Sequence, residues 1–128
     1  MKIATLIARI LLGLLFAVFG LNGFLHFIPM QPPAGLAGQY IGALFVSHYL
    51  VVVYLLEFVG GLLLLANRYV PLALLLLGPV VVNIVLFHAL FGAQGLGMAL
   101  FAVALWLVVF AGVRSAFAGV FVQRVEAA

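Results

Sequence analysis

Four long apolar runs divide this chain, and each ends at a short polar or proline-rich break. The first, about residues 5–28, stops at Pro29-Met30-Gln31-Pro32-Pro33, where missing backbone donors and the exclusion of helical geometry before proline end a helix. The second run covers Tyr49–Ala66 and ends at the tight polar break Asn67-Arg68-Tyr69. Pro71 then stands where a first helical turn tolerates it and opens a third run to about residue 91. Gly92-Ala93-Gln94-Gly95 turns the chain into a fourth run, about residues 96–113. Beyond Arg114, the apolar stretch at residues 117–122 is expected to continue helically along an interface. Each run has about the length, roughly 20 residues, that a helix needs to cross a bilayer.

Composition turns this pattern into a class. With 70% hydrophobic and 5% charged residues, the chain has too little polar surface to coat a soluble globule. The expected fold is therefore all-α and integral to the membrane, a four-helix transmembrane bundle forming one domain over residues 1–128. The first run is too long for a signal-peptide core, is interrupted by Arg9 and lacks a small-residue cleavage site, so it is expected to be a retained span.

Charge placement adds an orientation. Lys2, Arg9, Arg68, Arg114 and Arg124 stand singly beside apolar runs rather than in a cluster, which argues against nucleic acid as a partner. If the spans alternate, all five basic residues fall on the side of the two termini and the opposite loops carry none. The positive-inside rule then makes both termini cytoplasmic, in the cytoplasmic or inner membrane. The outer loop between helices 1 and 2 of this bundle is the longest, and residues 39–47 within it are apolar enough for a short interfacial helix, a lid over the bundle being the alternative.

Cysteine is absent, which excludes disulfide exchange, thiolate metal sites, iron–sulfur ligation and covalent c-type haem. Any redox role must rest on a bound cofactor.

One residue breaks the apolar pattern more than any other. Glu57 lies near the middle of the second run and is the only acidic residue before Gln123. A carboxyl at bilayer depth is costly, so it is a candidate functional group, here a proton acceptor; a protonated or amide-paired structural carboxyl is the alternative. Counting about 1.5 Å per residue from the outer ends, Asn22, Glu57 and Asn83 share a layer roughly 9–12 Å deep, with His26 and His88 nearer the surface and Tyr54 between. These residues are expected to line an outward-facing polar funnel, Asn22, His26, Tyr54, Asn83 and His88 binding a ligand near Glu57. Asn83 and His88 are five apart and diverge unless the helix adjusts, which Pro79 allows. For the two asparagines, plain interhelical hydrogen bonding is the competing role.

A b-type haem between His26 and His88, or a divalent metal on His26, Glu57 and His88, is a weaker alternative. The two layers lie about 6–9 Å apart along the helix axis, too far for one ion without a helix shift. No metal ligand is assigned. Gly13, Gly20, Gly23, Gly60 and Gly61 fit close helix packing in lipid, and the fourth run, polar only at Trp106, is expected to face lipid, buttress the bundle or form an oligomer seam.

Four passages together resemble the DoxX family of small four-span membrane proteins: ARILLGLLF at 8–16 leading to FGLNG at 19–23, EFVGGLLLL at 57–65, YVPLA at 69–73 and NIVLFH at 83–88. The resemblance implies a compact bundle acting as a membrane subunit of an oxidoreductase assembly, with Glu57, Gly60 and Gly61, and Asn22, Asn83 and His88, as the positions carried over. The expected ligand is a quinone or a similar lipid-soluble molecule, in a homo-oligomer or with other membrane or redox subunits. The sequence assigns no reaction to the chain alone. An assembly factor that recognises a partner's transmembrane segment is the alternative. A proton-linked transporter is a weaker one, since no inverted repeat or through-going polar path is present.

Overall fold

A computed structural model describes residues 2–92 and 94–128. All regular structure among them is helical: α1 (Lys2–Leu25), α2 (Gly35–Val46), α3 (Tyr49–Ala66), α4 (Val70–Leu90) and α5 (Leu96–Val113), followed by a 3-10 segment, Arg114–Phe121. Four helices are long and apolar enough to cross a membrane, with α5 and the 3-10 segment forming one of them, and α2 is the short fifth.

The spans fall close to the sequence expectation, and each shift has a local cause. α1 runs about three residues earlier than expected because its end is set by chain reversal, not by the prolines. His26 takes a left-handed conformation (φ 52°) and returns its N–H to the Asn22 carbonyl at 2.8 Å. That single bond closes the helix in the αL manner. At the α3–α4 break, Asn67 (φ 54°) and Tyr69 (φ 52°) are both left-handed, and their turn places Pro71 in the first turn of α4. Of the turn expected at Gly92 to Gly95, Ala93 lies outside the described residues; Gly95 has φ 110° and leads directly into α5.

Contacts between the long helices run in a ring, α1 to α3, α3 to α4, α4 to α5 and α5 back to α1. The tightest seam is α1 against α3. A β-carbon at Gly20 would stand 2.6 Å from the Phe58 amide nitrogen, and one at Gly61 would overlap the backbone of Ala17. Gly13 and Gly23 meet α3 at Leu65 and Tyr54, while Gly60 meets Leu77 of α4. Backbones approach this closely only where side chains are missing, the packing solution open to helices in lipid. Leu12, Phe16, Leu64, Leu74, Leu77 and Val109 fill the centre completely. Large apolar side chains such as Leu14, Val52, Leu75 and Phe101 cover the outside, as expected of a surface meeting hydrocarbon.

The region after α5 stays helical, as 3-10, and packs one aromatic ring into the bundle. Phe117 is buried in the core cluster, its ring 5.0 Å from that of Phe110. α2 touches α3 and reaches α4 through Tyr40, whose ring lies 5.9 Å from that of Phe87 and stacks at 5.0 Å on Phe91, just past the helix end.

Candidate functional site around Glu57

Glu57 lies on the inward face of α3, on the same stripe as Gly60, Gly61 and Leu64, and is 8% exposed. Gly61 meets α1 and Gly60 meets α4, so the carboxyl sits on the stripe where three helices converge. Its oxygens take part in none of the side-chain hydrogen bonds of the described residues. Among the described residues no amide pairs with this carboxyl.

Tyr54 is the neighbour of Glu57, three residues earlier and one turn outward on α3. Its half-buried ring lies over Gly23, which leaves no room for a β-carbon there, and meets Phe24 edge-on at 5.9 Å. The ring thus stands between Glu57 and the end of the bundle that carries α2.

The other expected ligands do not join this pair. Asn22 is buried, 6% exposed, but its amide is committed to the end of α1: Oδ1 accepts the Ile28 N–H at 2.7 Å, and Nδ2 lies 3.5 Å from the Ile28 carbonyl and from the Met30 sulfur. Asn22 also lies about 160° around the helix from Gly20 and about 100° from Gly23, the two nearest of the glycines that meet α3. His26 is an exposed chain-reversal residue with a left-handed backbone.

Asn83 departs furthest from the expected funnel. The buried positions of α4, from Val70 to Val81, define a face from which Asn83 is turned by roughly 120°. It is exposed, and its Nδ2 donates to the Pro79 carbonyl of its own helix at 2.8 Å. Asn22, Glu57 and Asn83, expected to share a layer, accordingly do not converge. His88 does return to the inward face and packs beneath the α4–α5 turn, where a β-carbon on Gly95 would lie 3.0 Å from its ring. Its Nδ1 is buried without a partner among the described residues. Since Gly60 is level with Leu77, His88 stands roughly 12 Å outward of Glu57, beyond the reach of one small head group. Among the described residues no three His, Cys, Asp or Glu side chains gather as a metal site would require.

Two side chains matter more than the sequence suggested. Trp106 donates its indole N–H to the Leu74 carbonyl at 3.0 Å and covers Gly78, so the one polar side chain between residues 98 and 111 faces α4, not lipid. The signal was a lone indole opposite a Gly-Pro pair. Beside it opens an apolar groove of about 380 Å³ between α4 and α5, walled by Val82, Leu86 and Leu107. Arg9, read as a topology signal, donates to the carbonyls of Leu64 and Leu65 and so closes the C-terminal end of α3.

Compared with known proteins, the chain matches no family model, no curated protein and no solved structure.

Proposed function

We propose that this protein is a multi-pass membrane subunit of an oxidoreductase assembly that holds a quinone or similar lipid-soluble ligand against Tyr54 and Glu57. The reading is carried by Glu57, 8% exposed and without a side-chain hydrogen bond among the described residues: a carboxyl with no internal hydrogen bond is costly in hydrocarbon and is retained where a ligand or a proton supplies what the fold withholds. A phenolic hydroxyl and a carboxyl one turn apart present a donor and an acceptor, which suit a ring carbonyl and a ring hydroxyl respectively. Entry requires the Tyr54 ring to swing off Gly23. The resemblance of the four quoted passages to the DoxX family supports the same reading, and the positive-inside rule places both termini in the cytoplasm.

The test is native mass spectrometry of the protein released from its own membranes, wild type against Glu57→Gln and Tyr54→Phe. A quinone-sized adduct present in wild type and depleted in both variants supports the reading. If Glu57→Gln retains the same adducts and the same protein partners as wild type, the reading fails.

A specific feature favours the second reading, an assembly factor recognising a partner's transmembrane helix. Asn83 presents a carboxamide on the outward side of α4, near the apolar α4–α5 groove, where a lipid neighbour offers it nothing and a partner helix offers a hydrogen bond. A protein partner retained by wild type and lost in Asn83→Leu, with no small-molecule adduct, distinguishes it.

A further inference from the structure

The end of the molecule that bears the N-terminus holds a second groove, of about 320 Å³, between α1, the start of α4 and the end of α5. Lys2, Thr5, Leu6 and Arg9 line it from α1 at the spacing i, i+3, i+4, i+7, which puts them on one stripe of the helix. The bonds from Arg9 Nη1 to Leu64 and Leu65 hold its guanidinium in place, and its Nε and Nη2 make no hydrogen bond to the described residues. Thr5 packs its hydroxyl against Gly112, without a hydrogen-bond partner among the described residues, and Asn67 adds a carboxamide at the rim. Two cationic side chains line the groove and no acidic one does. Leu6 and Val113 give it an apolar wall that continues onto the lipid-facing surface.

We propose that this groove is a binding site for an anionic phospholipid, with Lys2 and Arg9 on the headgroup phosphate, Asn67 donating to its oxygens, and the acyl chain against Leu6 and Val113. The inference rests on the helices crossing a bilayer, which sets the ends of the spans at headgroup level. Charge complementarity selects an anionic lipid over a zwitterionic one, whose own cation meets the same two basic side chains unfavourably. The apolar wall selects a lipid over a free anion. The site is independent of Glu57, at the other end of the stripe that runs to Leu64.

The experiment is native mass spectrometry of the purified protein in a neutral detergent, titrated with phosphatidylglycerol, phosphatidylcholine or inorganic phosphate. Wild type should retain a single phosphatidylglycerol with about tenfold preference over phosphatidylcholine. Lys2→Gln should reduce that preference about threefold, Lys2→Glu further, and Arg9→Gln should abolish it, whereas Arg114→Gln leaves it unchanged. Lys2 is exposed in the first turn of α1, so its variants keep the test valid if Arg9→Gln, which also uncaps α3, does not fold. Equal retention of the two lipids, an unchanged preference in Lys2→Glu, or displacement of the lipid by millimolar inorganic phosphate overturns the proposal; the last outcome shows a free-anion site.

Discussion

The indole nitrogen of Trp106 donates to the main-chain carbonyl of Leu74 at 3.0 Å, joining α5 to α4 one residue before the carbonyl that Pro79 leaves without its helical donor. The bond sits where the α4 backbone is weakest, and the same ring stacks on Phe110 at 5.4 Å. Trp106→Phe keeps the stacking and removes the donor. It is expected to cost about 1 kcal/mol, read as an earlier unfolding midpoint by circular dichroism in mixed micelles.

Gly61 offers a sharper test of the α1–α3 seam, because the atoms opposing a new β-carbon are main-chain atoms of Gly13 and Ala17 and cannot rotate away. Gly61→Ala should destabilise by roughly 2 kcal/mol or more. Gly42→Ala, which meets nothing within 4 Å, should leave the same unfolding curve in place or shift it slightly later. Equal behaviour of the two variants would show that the seam is not packed as described.

His26 adopts φ 52° although its side chain makes no hydrogen bond among the described residues. Glycine occupies that region without steric cost, so His26→Gly should raise stability by about 1 kcal/mol and leave any bound cofactor in place. Loss of a cofactor in this variant would restore His26 as a ligand and remove its role as a simple chain-reversal residue.

The two asparagines should part company. Asn22→Leu leaves the Ile28 N–H without its acceptor and frees the loop that follows α1, at a cost of about 1–2 kcal/mol and with faster hydrogen exchange at Ile28. Asn83→Leu removes an outward-facing amide that bonds only its own helix, and the isolated chain should be as stable as wild type or more so. Unfolding in micelles reads both, and a large loss in Asn83→Leu would place that side chain inside the bundle.

Absence of native cysteine makes topology directly measurable. Ser47→Cys lies at the α2–α3 link and Ser115→Cys just beyond α5, at opposite ends of the helices. With both termini cytoplasmic, an impermeant maleimide should label Ser47→Cys in intact cells and Ser115→Cys only after permeabilisation. The reverse pattern inverts the orientation.

The convergence around Glu57 was only partly readable. Its depth, its solitude and its neighbour Tyr54 follow from position along one helix, where spacing and rotation are both known. Asn83 shows the limit: counting residues from a helix end measures depth, while the side a residue faces depends on which neighbours the helix acquires. α4 is apolar nearly all round, so its sequence marks no inward face, and packing against α3 and α5 turned Asn83 outward and His88 inward. Asn22 was misleading for a different reason, since its partners came from the loop beyond its own helix.

What the sequence determined alone was the class, the number of long helices and their approximate ends, because runs of 18 or more mostly apolar residues bounded by prolines, glycines and polar breaks leave the backbone few other ways to satisfy its hydrogen bonds. Tertiary structure decided which polar groups meet. A side chain's partner lies on another helix, and the rotation of each helix about its own axis is set by close contacts such as Gly20 on Phe58 and Trp106 on Leu74, which only the packed chain contains.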